Sequence, residues 1–175
     1  RARFIIDAYY DKTVDLFVNQ GIPVTTGFGT PSTIPINAGV MTNKGLEFMV
    51  NVDVVKSKDW LVTLGVNHAI NVNEIEDLGQ VNEIPSGTFV IREGLPYGSH
   101  YATHYLGADP ATGRPIFEKE DGTTTLDPGE AFLFAKYGTF LPKHTGGFTM
   151  DLKWKRFTIN ALFSYQFDVR RYNNI

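Results

Sequence analysis

From Leu46 onward the chain alternates. Leu46, Phe48, Val50, Val52 and Val54 occupy the even positions, while Glu47, Asn51 and Asp53 stand among the odd ones. A period of two puts successive side chains on opposite faces of a strand. After the polar break "KSKD", Trp60, Val62, Leu64, Val66, Ile70 and Val72 alternate with Thr63, Gly65, Asn67, Asn71 and Asn73, and His68 interrupts the apolar side. The pattern predicts a long hairpin over 46–54 and 60–72. A second hairpin follows the same plan around Lys155-Arg156. Phe148, Met150, Leu152 and Trp154 face one way, and Phe157, Ile159, Ala161, Phe163, Tyr165 and Phe167 resume that face. Thr158, Asn160, Ser164, Gln166 and Asp168 take the other side, with Leu162 the apolar exception. A further strand is predicted over 2–10, where Phe4 and Ile6 alternate imperfectly with Arg3 and Asp7.

The two ends of these strands differ. At one end the connections are short, residues 56–59 and 155–156; at the other, residues 11–39 and 73–145 form very long ones. Connections in compact soluble domains run to about 4–6 residues. Long antiparallel strands, tight turns on one rim, long loops on the other and an aromatic-rich apolar face form the pattern of a transmembrane β-barrel wall with long extracellular loops. Trp60, Trp154 and Phe157 stand beside the tight turns, where an interfacial aromatic girdle belongs. The alternative all-β reading is a secreted soluble β-sandwich, a carbohydrate-binding module whose alternating face is its own core. The two differ in whether Phe48, Trp60, Phe148, Ile159 and Phe163 are covered by the chain itself.

Composition narrows the functional classes. The chain has 175 residues, 42% of them hydrophobic, enough for a substantial folded unit. A net charge of -3 and the absence of any basic block beyond "WKRF" and "VRRY" leave no footprint for nucleic acid. Cysteine is absent, which removes disulfides and thiolate metal sites together. No apolar run approaches the roughly 20 residues of a spanning helix. The opening "RARFIIDAYYDK" has no signal-peptide character and already reads as strand, as a piece of a longer polypeptide would.

Several stretches resemble the C-terminal barrel region of SusC/RagA-type TonB-dependent transporters. They are "YYDKTVDLF" from Tyr9, "NAGVMTNKGLEFMV" from Asn37, "IREGLPYGSHYATHYLGADPATGRPIF" from Ile91, "EDGTTT" from Glu120 and "LPKHTGGF" from Leu141, in the family's order and approximate spacing. In the first, Lys12 and Thr13 are adjacent where the family separates them. The resemblance covers 6–167 and implies that 1–175 is a fragment of an outer-membrane barrel of about 22 strands around a plug. It further implies glycan or peptide import driven by TonB, a SusD-like lipoprotein lid and contact with outer-membrane lipid. The plug, the TonB-contacting segment and the end of the barrel are not in this stretch.

The individual motifs have readings of their own. In "NKG", Gly45 suits a bulge where the chain enters a strand. "DPATGRP", with Asp109, Pro110 and Gly113, predicts a tight turn, and "EDG" at 120–122 a second. "GFGTPSTIPINAG", residues 27–39, is not followed by a helical pattern and reads as a meandering loop. His100 and His104 have a helical metal-ligand spacing, yet Gly98 argues against a helix there and no acidic partner follows at the right offset, so no metal and no cofactor is expected. His68 reads as a hydrogen-bonded wall residue and His144 as exposed. The carboxylate pairs Glu74 with Glu76 and Glu118 with Glu120, with Asp121 nearby, are the raw material of a glycosidase, but acidic loop residues are ordinarily solvated, and the expectation is no enzymatic activity. Tyr97, Tyr101 and Tyr105 are the candidate ligand-binding residues. Their spacing of four fits one side of a helix or one face of a strand, and such aromatics stack on sugar rings. Packing within the loop is nevertheless the favoured reading of the three, and contact with the lid lipoprotein stands level with contact to a sugar as its alternative.

A wall of about five strands cannot close, since barrels need at least about eight. The apolar stripes are therefore expected to be covered by residues 80–140 or by self-association with a neighbouring chain.

Overall fold

A computed structural model describes residues 1–27, 33–79 and 81–173. The chain forms β1 (Ala2–Gly21), β2 (Thr33–Lys56), β3 (Trp60–Asp77), β4 (Glu83–Ser86), β5 (Phe89–Arg92), β6 (Ser99–His100) and β7 (Ala102–Thr103). It continues with β8 (Tyr105–Ala108), β9 (Pro115–Glu118), β10 (Thr124–Thr125), β11 (Leu133–Phe134), β12 (His144–Trp154) and β13 (Phe157–Phe167). The principal sheet is antiparallel in the order β1-β2-β3-β12-β13. Both expected hairpins are present: Leu46 pairs with Ile70 and Asp53 with Thr63 in one, Gly147 with Ser164 and Trp154 with Phe157 in the other.

Register fixes the two faces, because directly paired residues point the same way. Phe4, Val50, Val66, Phe148 and Phe163 lie in one row across all five strands, and Ile6, Phe48, His68, Gly146 and Tyr165 in the next. On the opposite face, Asp7, Glu47, Ala69, Thr145 and Gln166 form a row, and Arg3, Asn51, Gly65, Thr149 and Leu162 another. One side is apolar and the other polar. This is a single layer. Phe4 is 68% exposed, Phe163 65% and Ile159 56%, whereas a β-sandwich would bury such residues against a second sheet. The apolar face is not covered by the long loop.

Aromatic groups band the apolar face at two heights. Beside the tight turns, Trp60 stacks on Trp154 at 5.6 Å and Trp154 on Phe157 at 5.8 Å. Toward the loop end, His68 lies 5.5 Å from Phe48, 5.4 Å from His144 and 5.9 Å from Tyr165, and His144 stacks on Phe167 at 4.8 Å. Trp60 and His68 are eight residues apart and Trp154 and His144 ten, or about 27 and 34 Å along a strand. A tilt of about 40° reduces this to roughly 20–26 Å, the height of the apolar band of a membrane barrel.

Strand lengths depart from expectation at the loop end. Residues 11–39, read as a loop, are largely ladder: β1 and β2 stay paired from Thr13–Met41 through Leu16–Gly39 to Gly21–Thr33, with irregularities near Val14 and Asp15. β3 likewise continues to Asp77. Residues 28–32 of the expected meandering loop lie outside the described residues, while 33–39 belong to β2. Gly45 is not a bulge. Against β3 the register shifts in β2 fall at Val40/Met41 and Asp53/Val55 and against β1 between Asn37 and Gly39, while Gly45 pairs in regular register on both sides and instead makes room for the Tyr9 ring, which a Cβ there would meet at 2.5 Å.

Candidate functional site: a loop platform over the polar face

The long connection between β3 and β12 folds into a platform of three small sheets, β4-β5-β6, β8-β9-β10 and β7-β11. Its anchor is Asn73, only 8% exposed, on the polar face of β3. The Asn73 amide donates to Asn43 Oδ1 at 2.9 Å, and its oxygen accepts the Tyr97 backbone N–H at 2.7 Å. A side chain pointing to the polar face thus holds the loop backbone over that face. One turn higher, Ile75 N–H donates to Leu95 O and Gly94 N–H to Ile75 O, at 3.0 and 2.8 Å, so residues 94–95 take the place beside β3 that β12 occupies lower down. The Glu93 carboxylate accepts Leu78 N–H at 2.8 Å. Ile75 and Leu78 are buried there with Met41, Leu16, Ile36, Val81, Ile84 and Ile91 around them. Burial of this apolar cluster and satisfaction of its backbone groups make the platform a packed body.

The three tyrosines do not share a face. Tyr97 packs between Phe89 and Phe140, at 6.2 and 6.1 Å. Gly98 follows at φ 72°, with the Phe140 ring where a Cβ would project. Only glycine fits both the angle and the contact. Tyr101 donates to Glu83 Oε1 at 3.2 Å, and Arg92, ion-paired to Glu83, lies 5.5 Å from its ring centroid. Burial, and then the Glu83 carboxylate, push the Tyr101 hydroxyl above its ordinary value. Tyr105 is 57% exposed beside Phe117, 6.1 Å away. Spacing by four presumes one continuous element, and the break at Gly98 together with the separation of β6 from β7 removes it. The signal for Tyr101 is Glu83 opposite Arg92, directly paired in the β4–β5 hairpin.

The other candidates fall into structural roles. His104 Nδ1 lies 2.5 Å from Glu118 Oε2, and Lys136 Nζ lies 3.1 Å from the same oxygen. The hydrogen bond from His104, then that from Lys136, holds the Glu118 carboxyl below its ordinary range. Glu76 pairs with Lys12 at 2.8 Å. Asp121 accepts the Thr123 N–H and hydroxyl at 2.9 and 2.6 Å, closing the "EDG" turn with Gly122 at φ 81°. Asp109 accepts Ala111 N–H at 3.1 Å, and Gly113 stands at φ 70° in the other predicted turn. His100 donates from Nε2 to Arg170 O at 2.9 Å and meets the Tyr172 ring edge-on at 5.1 Å. His144 is not exposed as expected but sits half-buried in the aromatic stack, its Nδ1 3.3 Å from His68 Nε2. Among the described residues, no group of three or more His, Asp or Glu converges as a metal site would require.

A single sheet, apolar outside and polar inside, banded by aromatics at two heights and capped by a folded loop over the polar face, defines a membrane β-barrel wall. No family model matches the chain. It is 28% identical over 183 residues to the TonB-dependent receptor SusC of Bacteroides thetaiotaomicron, covering 95% of this chain and 17% of that receptor. It is 28% identical over 191 residues to TonB-dependent receptor P3 of Formosa agariphila, covering 93% of this chain and 18% of that receptor. Among solved structures, the RagAB peptide transporter superposes with a TM-score of 0.79 at 26% identity, over 95% of this chain and 19% of the matched one. The chain therefore spans less than a fifth of the length of these relatives. Over nearly its whole length it is similar to a stretch of barrel wall of the SusC/RagA-type TonB-dependent transporters.

Proposed function

We propose that this chain forms part of the wall and mouth of an outer-membrane transporter that imports a nutrient, glycan or peptide, with energy supplied through TonB and with a SusD-like lipoprotein seated over the platform. The observation that carries this reading is the Asn73–Tyr97 contact, which sets the loop over the polar face and therefore over the passage. A RagAB neighbour described as a peptide transporter supports transport as the class of activity. The chain contributes binding and a path, not bond cleavage: Glu118 and Glu76 are neutralised by cations rather than poised as an acid and a base. Tyr105, exposed on the platform, is the tyrosine offered to ligand or lid, while Tyr97 and Tyr101 hold the platform's shape. Outside a bilayer the bare apolar face drives self-association.

Uptake tests the reading. In cells expressing the complete transporter, accumulation of labelled oligosaccharide or peptide pools should stop when the proton-motive force is collapsed and when the partner lipoprotein is removed. Uptake indifferent to both would contradict it.

A further inference from the structure

Two tight turns, residues 57–59 and 155–156, close one rim of the sheet, and a backbone bond ties them together: Lys155 N–H donates to Asp59 O at 2.9 Å. The first turn is fixed from within, Ser57 N–H donating to Trp60 O at 2.8 Å and Trp60 N–H to Ser57 Oγ at 3.2 Å. The second is only two residues long, because Trp154 and Phe157 on either side of it pair directly. Lys58, Lys155 and Arg156 stand exposed in these turns against one carboxylate, Asp59. None of the four belongs to an ion pair formed among the described residues.

A direct contact places Lys155 on the lipid side. Its ammonium lies 5.3 Å from the centroid of the Trp154 ring, and Trp154 shares the apolar row of Trp60 and Phe157. A cation over an indole face is attracted to it, and the three donors of an ammonium leave room for an anion as well. Lys155 also stands where backbone geometry asks for a different residue. Its φ is 53°, in a two-residue connection where Gly, Asn or Asp is preferred and most L side chains are disfavoured. Strain of that kind points to a task for the side chain.

Trp60, Trp154 and Phe157 form the aromatic band at which acyl chains end and headgroups begin. Lys155 therefore stands at headgroup height over the lipid-facing row, with Lys58 and Arg156 beside it in the tied turns. Basic groups at a membrane surface attract acidic headgroups, and a guanidinium pairs with two phosphate oxygens at once. The same rim carries Lys56 and Lys153 on the other face, in one row with Leu61 and Thr158. Those two cations stand on the passage side.

We propose that the tied turns bind the phosphate of an anionic phospholipid through Lys155, Lys58 and Arg156, with the acyl chains lying along the apolar face past Trp154 and Phe157. The occupant is a lipid rather than a soluble anion because the central ammonium rests on an aromatic ring of the lipid-facing row. The site fixes a lipid at the tight-turn rim, whichever nutrient the passage carries.

The experiment uses the complete barrel that carries this sheet, purified in non-ionic detergent and titrated under native mass spectrometry. The probes are phosphatidylglycerol, a neutral glycolipid with the same acyl chains, and inorganic phosphate. Phosphatidylglycerol should bind about tenfold tighter than the neutral lipid, or more. Lys155→Gly relieves the backbone, so it keeps the fold, and should lower that preference about threefold. Lys58→Gln with Arg156→Gln should lower it severalfold, and Lys155→Arg should keep it. Lys56→Gln with Lys153→Gln, which removes two charges from the passage side of the same rim, should leave it intact. Inorganic phosphate should not compete at millimolar concentration. Equal binding of the two lipids, an undiminished preference in either turn variant, loss of preference in Lys155→Arg, an equal loss from the passage-side pair, or competition by free phosphate would overturn the proposal.

Discussion

Tyr165 reaches across Gly146 of the neighbouring strand and sets its hydroxyl 2.9 Å from Nδ1 of His68, two strands away. On the opposite face Tyr9 does the same, crossing Gly45 to place its hydroxyl 3.1 Å from Asn71 Oδ1. Each outer strand is thus tied to β3 through an aromatic ring laid over a glycine, once toward lipid and once toward the passage.

Adding a methyl at either glycine should loosen the wall. A Cβ on Gly45 would lie 2.6 Å from Ile70 O as well as against Tyr9, and one on Gly146 would lie 2.5 Å from Asn67 O. Backbone oxygens cannot step aside, so Gly45→Ala and Gly146→Ala should each cost about 1–3 kcal/mol. Urea unfolding of the barrel in micelles, followed by gel mobility of the unheated form, measures this. Tyr9→Phe and Tyr165→Phe, which lose only a hydroxyl contact, should cost about 1 kcal/mol or less.

At the turn of the second hairpin the sign reverses. Lys155 has φ 53° in a two-residue connection, an angle that glycine adopts without strain. Lys155→Gly should raise the unfolding midpoint by an amount corresponding to about 0.5–1 kcal/mol. A lower midpoint would show that the Lys155 ammonium over the Trp154 ring, 5.3 Å from its centroid, outweighs the backbone gain.

The platform should respond to acid through Glu118. Its folded-state pKa is depressed below the ordinary 4.5 by His104 and Lys136, so the stability it contributes is present above about that pH and is lost as the pH falls through the lower folded value. Hydrogen exchange over residues 115–137 should accelerate below about pH 4.5 while the barrel strands remain protected. Glu118→Gln should show the faster exchange already at neutral pH and flatten the dependence.

Tyr101 and Tyr105 should separate fold from function. Tyr101→Phe removes the hydroxyl bond to Glu83 and should loosen the β4–β5 hairpin by about 0.5–1.5 kcal/mol. Tyr105→Ala, at an exposed position, should leave exchange and melting unchanged while lowering ligand capture severalfold in an equilibrium binding assay. A Tyr105→Ala protein that binds normally would move the ligand contact elsewhere on the platform.

How much of this was legible depended on range. Leu46 through Asn71 announce a hairpin because alternation and a short polar turn are local, and the register Leu46–Ile70 follows from them. The extension of β1 and β2 was hidden because a ribbon projecting beyond the bilayer needs no apolar alternation, and "TIPINAG" pairs through its backbone despite Pro35 and Gly39. The role of His144 depends on His68 and Phe167 on other strands, and that of Asn73 on Tyr97 at 24 residues' remove. Neither leaves a periodic trace. The tyrosine spacing misled because it supposed one element where Gly98 turns the chain.

The central claim is that β13 presents one face to lipid and the other to water. This stretch contains no cysteine, so single cysteines can be placed and spin-labelled at each position 159–166 of the complete barrel in liposomes, once any cysteine outside the stretch has been replaced by serine. Collisional accessibility to oxygen, enriched in hydrocarbon, and to a water-soluble nickel chelate is then measured at each site. Positions 159, 161, 163 and 165 should favour oxygen, and 160, 162, 164 and 166 the chelate, including Leu162 despite its apolar side chain. Absence of a two-residue period, or protection of Phe163 from both reagents as in a closed sandwich core, would contradict the account.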